Sequence, residues 1–276
     1  MWNDDAKKPI WTFLALTFII AWASDAVLII VERTGILSGM AGFIIVTMYH
    51  GITSACAPAY AVFILLKKHK QIKGVKDFFF RIFITENLSK IVIITAAFVV
   101  FQFIIAMISG QYMGDTWYFA LLALPMLLAG IIGGGMEEPG WRGFLQPALE
   151  QKFPFVVATL ILGVIWAIWH IPAWFIQSIG QSSLNFLSFT LHCITLSFVM
   201  AALYKLTKNV FACVLFHSWT NALGIVFSND ILINPPGFKL IAIFAPQILA
   251  AIVICFIIEN KFAKRANIYN HSRGND

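Results

Sequence analysis

Residues 10–31 read IWTFLALTFIIAWASDAVLIIV, a run in which Asp25 is the one ionisable group. About 20 apolar residues carry a helix across a bilayer, so this stretch predicts a transmembrane span. Lys7 and Lys8 precede it and Glu32-Arg33 closes it. The run is too long for the apolar region of a cleavable signal peptide and is read as a retained first span. Similar runs occupy approximately residues 42–66, 90–109, 117–136, 157–179, 186–206, 210–228 and 240–258, giving eight candidate spans. None shows the two-residue alternation of barrel strands, and a helix satisfies its own backbone polar groups in hydrocarbon. The expected fold is an all-α polytopic transmembrane helix bundle, a single integral membrane domain over residues 1–276.

Composition agrees with this reading. The 276 residues are 60% hydrophobic and only 12% charged, about half the charge of a soluble domain. Lysine and arginine exceed acids by 19 to 13, but these cations gather at the ends of apolar runs, where lipid headgroups lie, and form no basic stripe interleaved with aromatics. The lipid bilayer is therefore the expected partner and nucleic acid is not. Counted by alternate connections, all but Arg33 and Lys239 of the 19 cations, Arg142 included, fall on the side of Lys7 and Lys8. The positive-inside rule then places both termini in the cytoplasm. Cys56, Cys193, Cys213 and Cys255 each stand alone in an apolar run, without CxxC spacing, and read as packing residues.

Two short interfacial helices are expected on the cytoplasmic side. In the basic loop, Val75, Phe78, Phe79, Ile82 and Phe83 recur at helical spacing, with Lys76, Asp77, Arg81 and Glu86 between or beyond them. In the second, Trp141 to Phe155, Arg142, Gln146, Glu150 and Lys152 interrupt apolar positions.

An ionisable group inside a span costs free energy unless it is paired or hydrated, so each is a functional candidate. Asp25, His50 and His192 stand apart from other ionisable groups within their runs and read as structural. Residues 133–143, GGGMEEPGWRG, differ because adjacent Glu137 and Glu138 in a low dielectric repel. One of the two needs a raised pKa, a cation or a metal. In a helix, Glu138 and Arg142 are i,i+4 neighbours while Glu137 points about 100° away, which predicts two roles for two acids. Pro139 disfavours helical geometry at Glu138 and predicts a break there. Two further elements carry histidine: Trp166 and His170 share a helix face, as do His217 and Asn221.

A carboxylate, two imidazoles and an amide form a workable set for amide hydrolysis, by either of two routes. In one, Glu137, His170 and His217 bind zinc and Glu138 or another base deprotonates a bound water, although HExxH is lacking. In the other no cofactor is used: Glu137 takes a proton from water that His170 positions, and His217 with Asn221 holds the oxyanion. Asparagine is an uncommon zinc ligand and a good amide donor, which favours the second. A water-filled cavity in the cytoplasmic half is expected.

The ordered set EEPGWRG at 137–143, WAIWH ending at His170 and HSWTN at 217–221 resembles the CAAX protease and bacteriocin-processing family of intramembrane proteases, which includes the type II CAAX prenyl endopeptidases. The resemblance covers about residues 117–228. It implies an intramembrane endopeptidase acting near the cytoplasmic membrane surface on a peptide or protein substrate that is membrane-anchored or prenylated. It also implies Glu137 as catalytic carboxylate, Glu138 and Arg142 shaping the site, His170 on water or metal, and His217 with Asn221 completing it. Trp166 stands where the family more often has Phe. Bacterial members imply a plasma-membrane location and an alternative role, a non-catalytic bacteriocin-immunity or membrane-regulatory protein that retains the fold.

Overall fold

The computed structural model describes residues 9–85, 87–108, 125–223, 230–234 and 237–273. Among these there is no strand, and six helical segments are long and apolar enough to cross a membrane. α1 is Ile10–Arg33. α2 (Gly39–His50), a π-helical turn at Gly51–Ala55 and α3 (Ala57–Lys68) form one continuous span. α4 is Val75–Phe83 and α5 is Leu88–Ile108. α6 covers 125–132, the described part of the expected fourth run. After a 3₁₀ turn at Gly135–Glu137 come α7 (Glu138–Gly140), a second π-turn at Trp141–Leu145 and α8 (Gln146–Glu150). α9 is Phe155–Trp169, α10 Phe186–Thr207, α11 Val210–Leu223, α12 Asp230–Ile233 and α13 Gly237–Arg273. The helical bundle expected from hydropathy is present. Residues 117–124 and 224–228 of the expected spans lie outside the described residues, and α11 is a shorter apolar helix.

Outward faces of the long helices carry exposed apolar side chains such as Trp11, Ile30, Ile93 and Phe256, as lipid contact requires. Helix α4 appears as the sequence predicts: Phe78 and Ile82 are buried, and Val75 and Phe79 are exposed. Glu86 lies outside the described residues. The second expected surface helix is corrected. Trp141, Arg142, Phe144 and Leu145 are fully buried, so residues 141–149 run through the core and their polar side chains serve partners inside it. The kink or termination expected beside Glu137 and Glu138 is present, since α6 ends at residue 132 and a 3₁₀ turn covers Gly135–Glu137 before α7, but Pro139 is not its cause. Glu138 keeps helical angles (φ −65°, ψ −32°), and Pro139 sits in the first turn of α7, where a missing N–H breaks no helical hydrogen bond.

The two ends of the bundle differ in charge. Lys205 bonds Glu259 at 2.6 Å and lies 3.4 Å from Glu150, joining α8, α10 and α13 at one end. The same end holds the last turn of α3, with Lys67 and Lys68, and α4. At the opposite end the Glu32 carboxylate accepts the backbone N–H groups of Gln177 and Ser178 at 2.8 and 3.1 Å, tying α1 to the loop after α9.

Close packing of α9 on α10 rests on Gly163, where an added Cβ would lie 2.7 Å from the Ile194 backbone. Gly163→Leu is expected to destabilise the bundle by about 1–3 kcal/mol through overpacking. A lowered midpoint of thermal unfolding in detergent checks this.

Candidate active site

Glycines let the 130–140 segment press against α11. A Cβ on Gly130 would stand 2.8 Å from the Ser218 carbonyl oxygen, and one on Gly134 would collide with Asn221 Nδ2 and lie 2.9 Å from His217 Nε2. The chain therefore enters the 3₁₀ turn directly beneath the His217–Asn221 face, which brings Glu137 and Glu138 into the centre of the bundle.

The two acids separate as their helical spacing predicts. Glu138, fully buried, accepts on Oε1 from Arg142 Nη1 at 3.2 Å and from His217 Nδ1 at 2.7 Å, and its Oε2 lies 3.0 Å from the same Arg142 nitrogen. Arg142 also donates to Ser197 Oγ at 3.3 Å, and its guanidinium lies 5.0 Å from the centre of the Trp166 ring. Bonded to a carboxylate through Nδ1, His217 keeps Nε2 for the side facing Gly134 and Asn221. Arg142, counted from sequence among the flanking cations, is instead an interior counter-charge.

Glu137 takes a different set of partners. Its Oε2 accepts the indole N–H of Trp166 at 2.6 Å and that of Trp141 at 3.1 Å. Glu137 lies between the long spans, and burial pushes its carboxyl up to about 7; nearby His217 pulls it down, adjacent Glu138 pushes it up, and the two indole donors lower it. His170 caps the end of α9, where its Nδ1 donates to the Trp166 carbonyl oxygen at 2.8 Å because that oxygen can only accept. Nε2 is thereby left as a lone-pair acceptor. The His170 and His217 rings lie 5.9 and 5.3 Å from Trp166, so one indole abuts both histidines and binds the acid.

Glu137, His170, His217 and Asn221 line one cavity of about 270 Å³. Asn221 Nδ2 donates to the Gly133 carbonyl at 3.3 Å. Counting residues along α9 and α11 separates His170 from His217 by about 10 Å of depth, yet both rings meet at Trp166. Sequence spacing also missed three groups. Asp25, His50 and His192 line the same cavity, and Asp25 accepts from His50 Nδ1 at 2.9 Å and Ser54 Oγ at 3.0 Å. Asp25 and His50 lie on different helices, so no local pattern shows their pairing. The Trp141 donor was legible as i,i+4 from Glu137, and the Trp166 donor only as a departure from the commoner Phe.

Among the described residues no three of His, Cys, Asp and Glu stand close enough together to hold a metal ion. Glu137, His170 and His217, the expected zinc set, do not form such a group as placed.

The Glu138–Arg142 pair is buried in an apolar interior, and removing one partner leaves the other charge unmatched at a cost of about 3–5 kcal/mol. Glu138→Ala is expected to lower thermal stability by that order, and Glu138→Gln, which keeps one acceptor, by less. Thermal unfolding of the purified variants in detergent checks both.

Residues 117–223 match the family described as Type II CAAX prenyl endopeptidase Rce1-like. The chain is 23% identical over 218 residues to CAAX prenyl protease 2 of Methanococcus maripaludis, an alignment covering 72% of this chain and 78% of that protein. The matched region contains Glu137, Glu138, Arg142, His170, His217 and Asn221. The cavity residues from α1 to α3 lie outside it. With the ordered motifs and the shared cavity, the chain is similar to the type II CAAX prenyl endopeptidases over the region that carries its candidate site residues.

Proposed function

We propose that Glu137 is the general base of peptide-bond hydrolysis in this protein. What supports it most is that one buried carboxylate shares a cavity with His170, His217 and Asn221 and has both indole donors on the same oxygen, Oε2. Oε1 is then the atom that takes a proton from water, and the lone pair on His170 Nε2 orients that water by accepting its second hydrogen. The resulting hydroxide attacks the scissile carbonyl carbon. Charge that develops on the carbonyl oxygen is held by an N–H on His217 Nε2 and by the Asn221 amide. That donation requires a proton on Nε2 while Nδ1 is bonded to Glu138. When the C–N bond breaks, Glu137 returns its proton to the leaving amine, so acid and amine products account for every atom of peptide and water.

Glu138 and Arg142 act through His217 and Trp166. The peptide substrate enters by the cavity. The relative's name speaks of prenylated proteins, and prenylation of this chain's substrate belongs to that likeness alone. Cation placement supports a protein with both termini cytoplasmic, and a bacterial plasma membrane remains the reading carried by the family.

Glu137→Gln keeps the hydrogen-bonded shape and removes the base. It is expected to lose about 10²–10⁴-fold in peptide cleavage with unchanged thermal unfolding. Cleavage at the parent rate would reject the role. Asn221→Ala is expected to cost about 10²–10³-fold in kcat.

The carboxylate is the active form of Glu137, so kcat/KM is expected to rise with pH through about 7. A profile that stays flat from about pH 5 to about pH 9 would contradict the assignment. The cofactor-free route also predicts that purified protein retains cleavage after chelation and carries less than one metal per chain. Activity lost to chelator and restored by zinc would favour the metal route.

A further inference from the structure

The depth of the cavity conflicts with one expectation from the sequence. Asp25 lies about 22 Å along α1 from Ile10, and His170 about 22 Å along α9 from Phe155, both measured from the lysine-rich end of the bundle. Ser54 and Ala55 line the cavity above all of α3, whose last turn holds Lys67 and Lys68. On α10 the lining residues Phe189, His192 and Cys193 belong to the first turns, whereas Lys205 is in the last. Ile179 and Gln181, in the loop that follows α9, complete the wall. The cavity thus runs from mid-bundle to the end where Glu32 holds Gln177 and Ser178.

That end is nearly free of cations. Arg33 closes α1 there, and Lys239 begins α13, whose other end places Glu259 against Lys205. With Arg142 buried at the centre, the other cations precede α1, lie at or just beyond the opposite ends of α3, α8 and α10, fall in the C-terminal part of α13, or lie on α4 and at the start of α5. Cation retention acts on short connections, and each connection at the far end is short or poor in Lys and Arg. A cytoplasmic cavity mouth and cytoplasmic termini therefore cannot both hold.

We propose that the catalytic cavity opens to the extracytoplasmic face, so that its substrate is an exported polypeptide or the outer segment of a membrane protein. This rests on the protease reading for the word substrate and on geometry and charge alone for the side. The outer wall suits such a chain: the Asp25–His50–Ser54 cluster and Gln181 offer hydrogen-bonding groups along the path from the loop towards Glu137. A polypeptide arriving in extended form has backbone N–H and C=O groups that need partners as they leave water.

The side is tested by cysteine accessibility in right-side-out and inside-out membrane vesicles, using a membrane-impermeant maleimide. The four native cysteines are buried, and the parent protein gives the background. Ser182→Cys and Ile36→Cys, both exposed near the mouth, are expected to label in right-side-out vesicles, and Lys76→Cys on α4 only in inside-out ones. The reverse pattern at both mouth positions would overturn the proposal. A fluorogenic peptide added to the same vesicles should be cut from the right-side-out face, with Glu137→Gln as blank. Cleavage confined to inside-out vesicles would also overturn it. Expected labelling with no cleavage in either orientation would uphold the side and reject the protease reading, which keeps the two failures apart.

Discussion

Two adjacent carboxylates inside an apolar bundle repel one another and lose hydration, and the architecture follows from how each is satisfied. Glu138 is partnered by Arg142 and His217. Glu137 has no cation of its own and is held by two neutral indole donors on one oxygen. The difference matters chemically. A carboxylate locked to guanidinium is a poor base, whereas one bonded to neutral donors in a low dielectric keeps its affinity for a proton. Hence the acid on the cavity is the one without a paired cation.

Supporting geometry converges on Trp166. Its N–H fixes Glu137, its ring abuts both histidines, its outer face takes the Arg142 guanidinium, and its carbonyl sets the tautomer of His170. A phenylalanine at this position would supply the ring without the donor, so in this chain the aromatic wall and the hydrogen-bonding partner are one side chain. The two π-turns, Gly51–Ala55 and Trp141–Leu145, carry Ser54 and Trp141 to their partners. Such turns re-aim side chains inside otherwise regular helices and recur at functional sites.

Much of the site was legible because its contacts are local. The i,i+4 pairing of Glu138 with Arg142, the opposed direction of Glu137 and the His217–Asn221 face depend only on helical pitch. The Asp25–His50 pair joins two helices, and its members looked isolated for that reason alone. The 141–149 segment was misread as interfacial because its polar residues resemble those of a surface helix, until tertiary partners such as Ser197 for Arg142 are known. The break beside the two acids is not made by Pro139, which falls in the first turn of the new helix, and where that helix starts relative to Gly134 is not written locally.

The sequence by itself determined that the chain is a membrane-embedded helical bundle, which end of it the cations favour and which polar residues share a helix face. Apolar length, charge at helix ends and helical pitch are properties of single segments. Only the tertiary structure decided that Trp166 and Trp141 hold Glu137, that Arg142 is interior, and that the cavity lies towards the end poor in cations. Depth and partnership depend on how far each helix slides past its neighbours, and that offset is set by packing of side chains distant in sequence, such as Gly130 and Gly134 against α11.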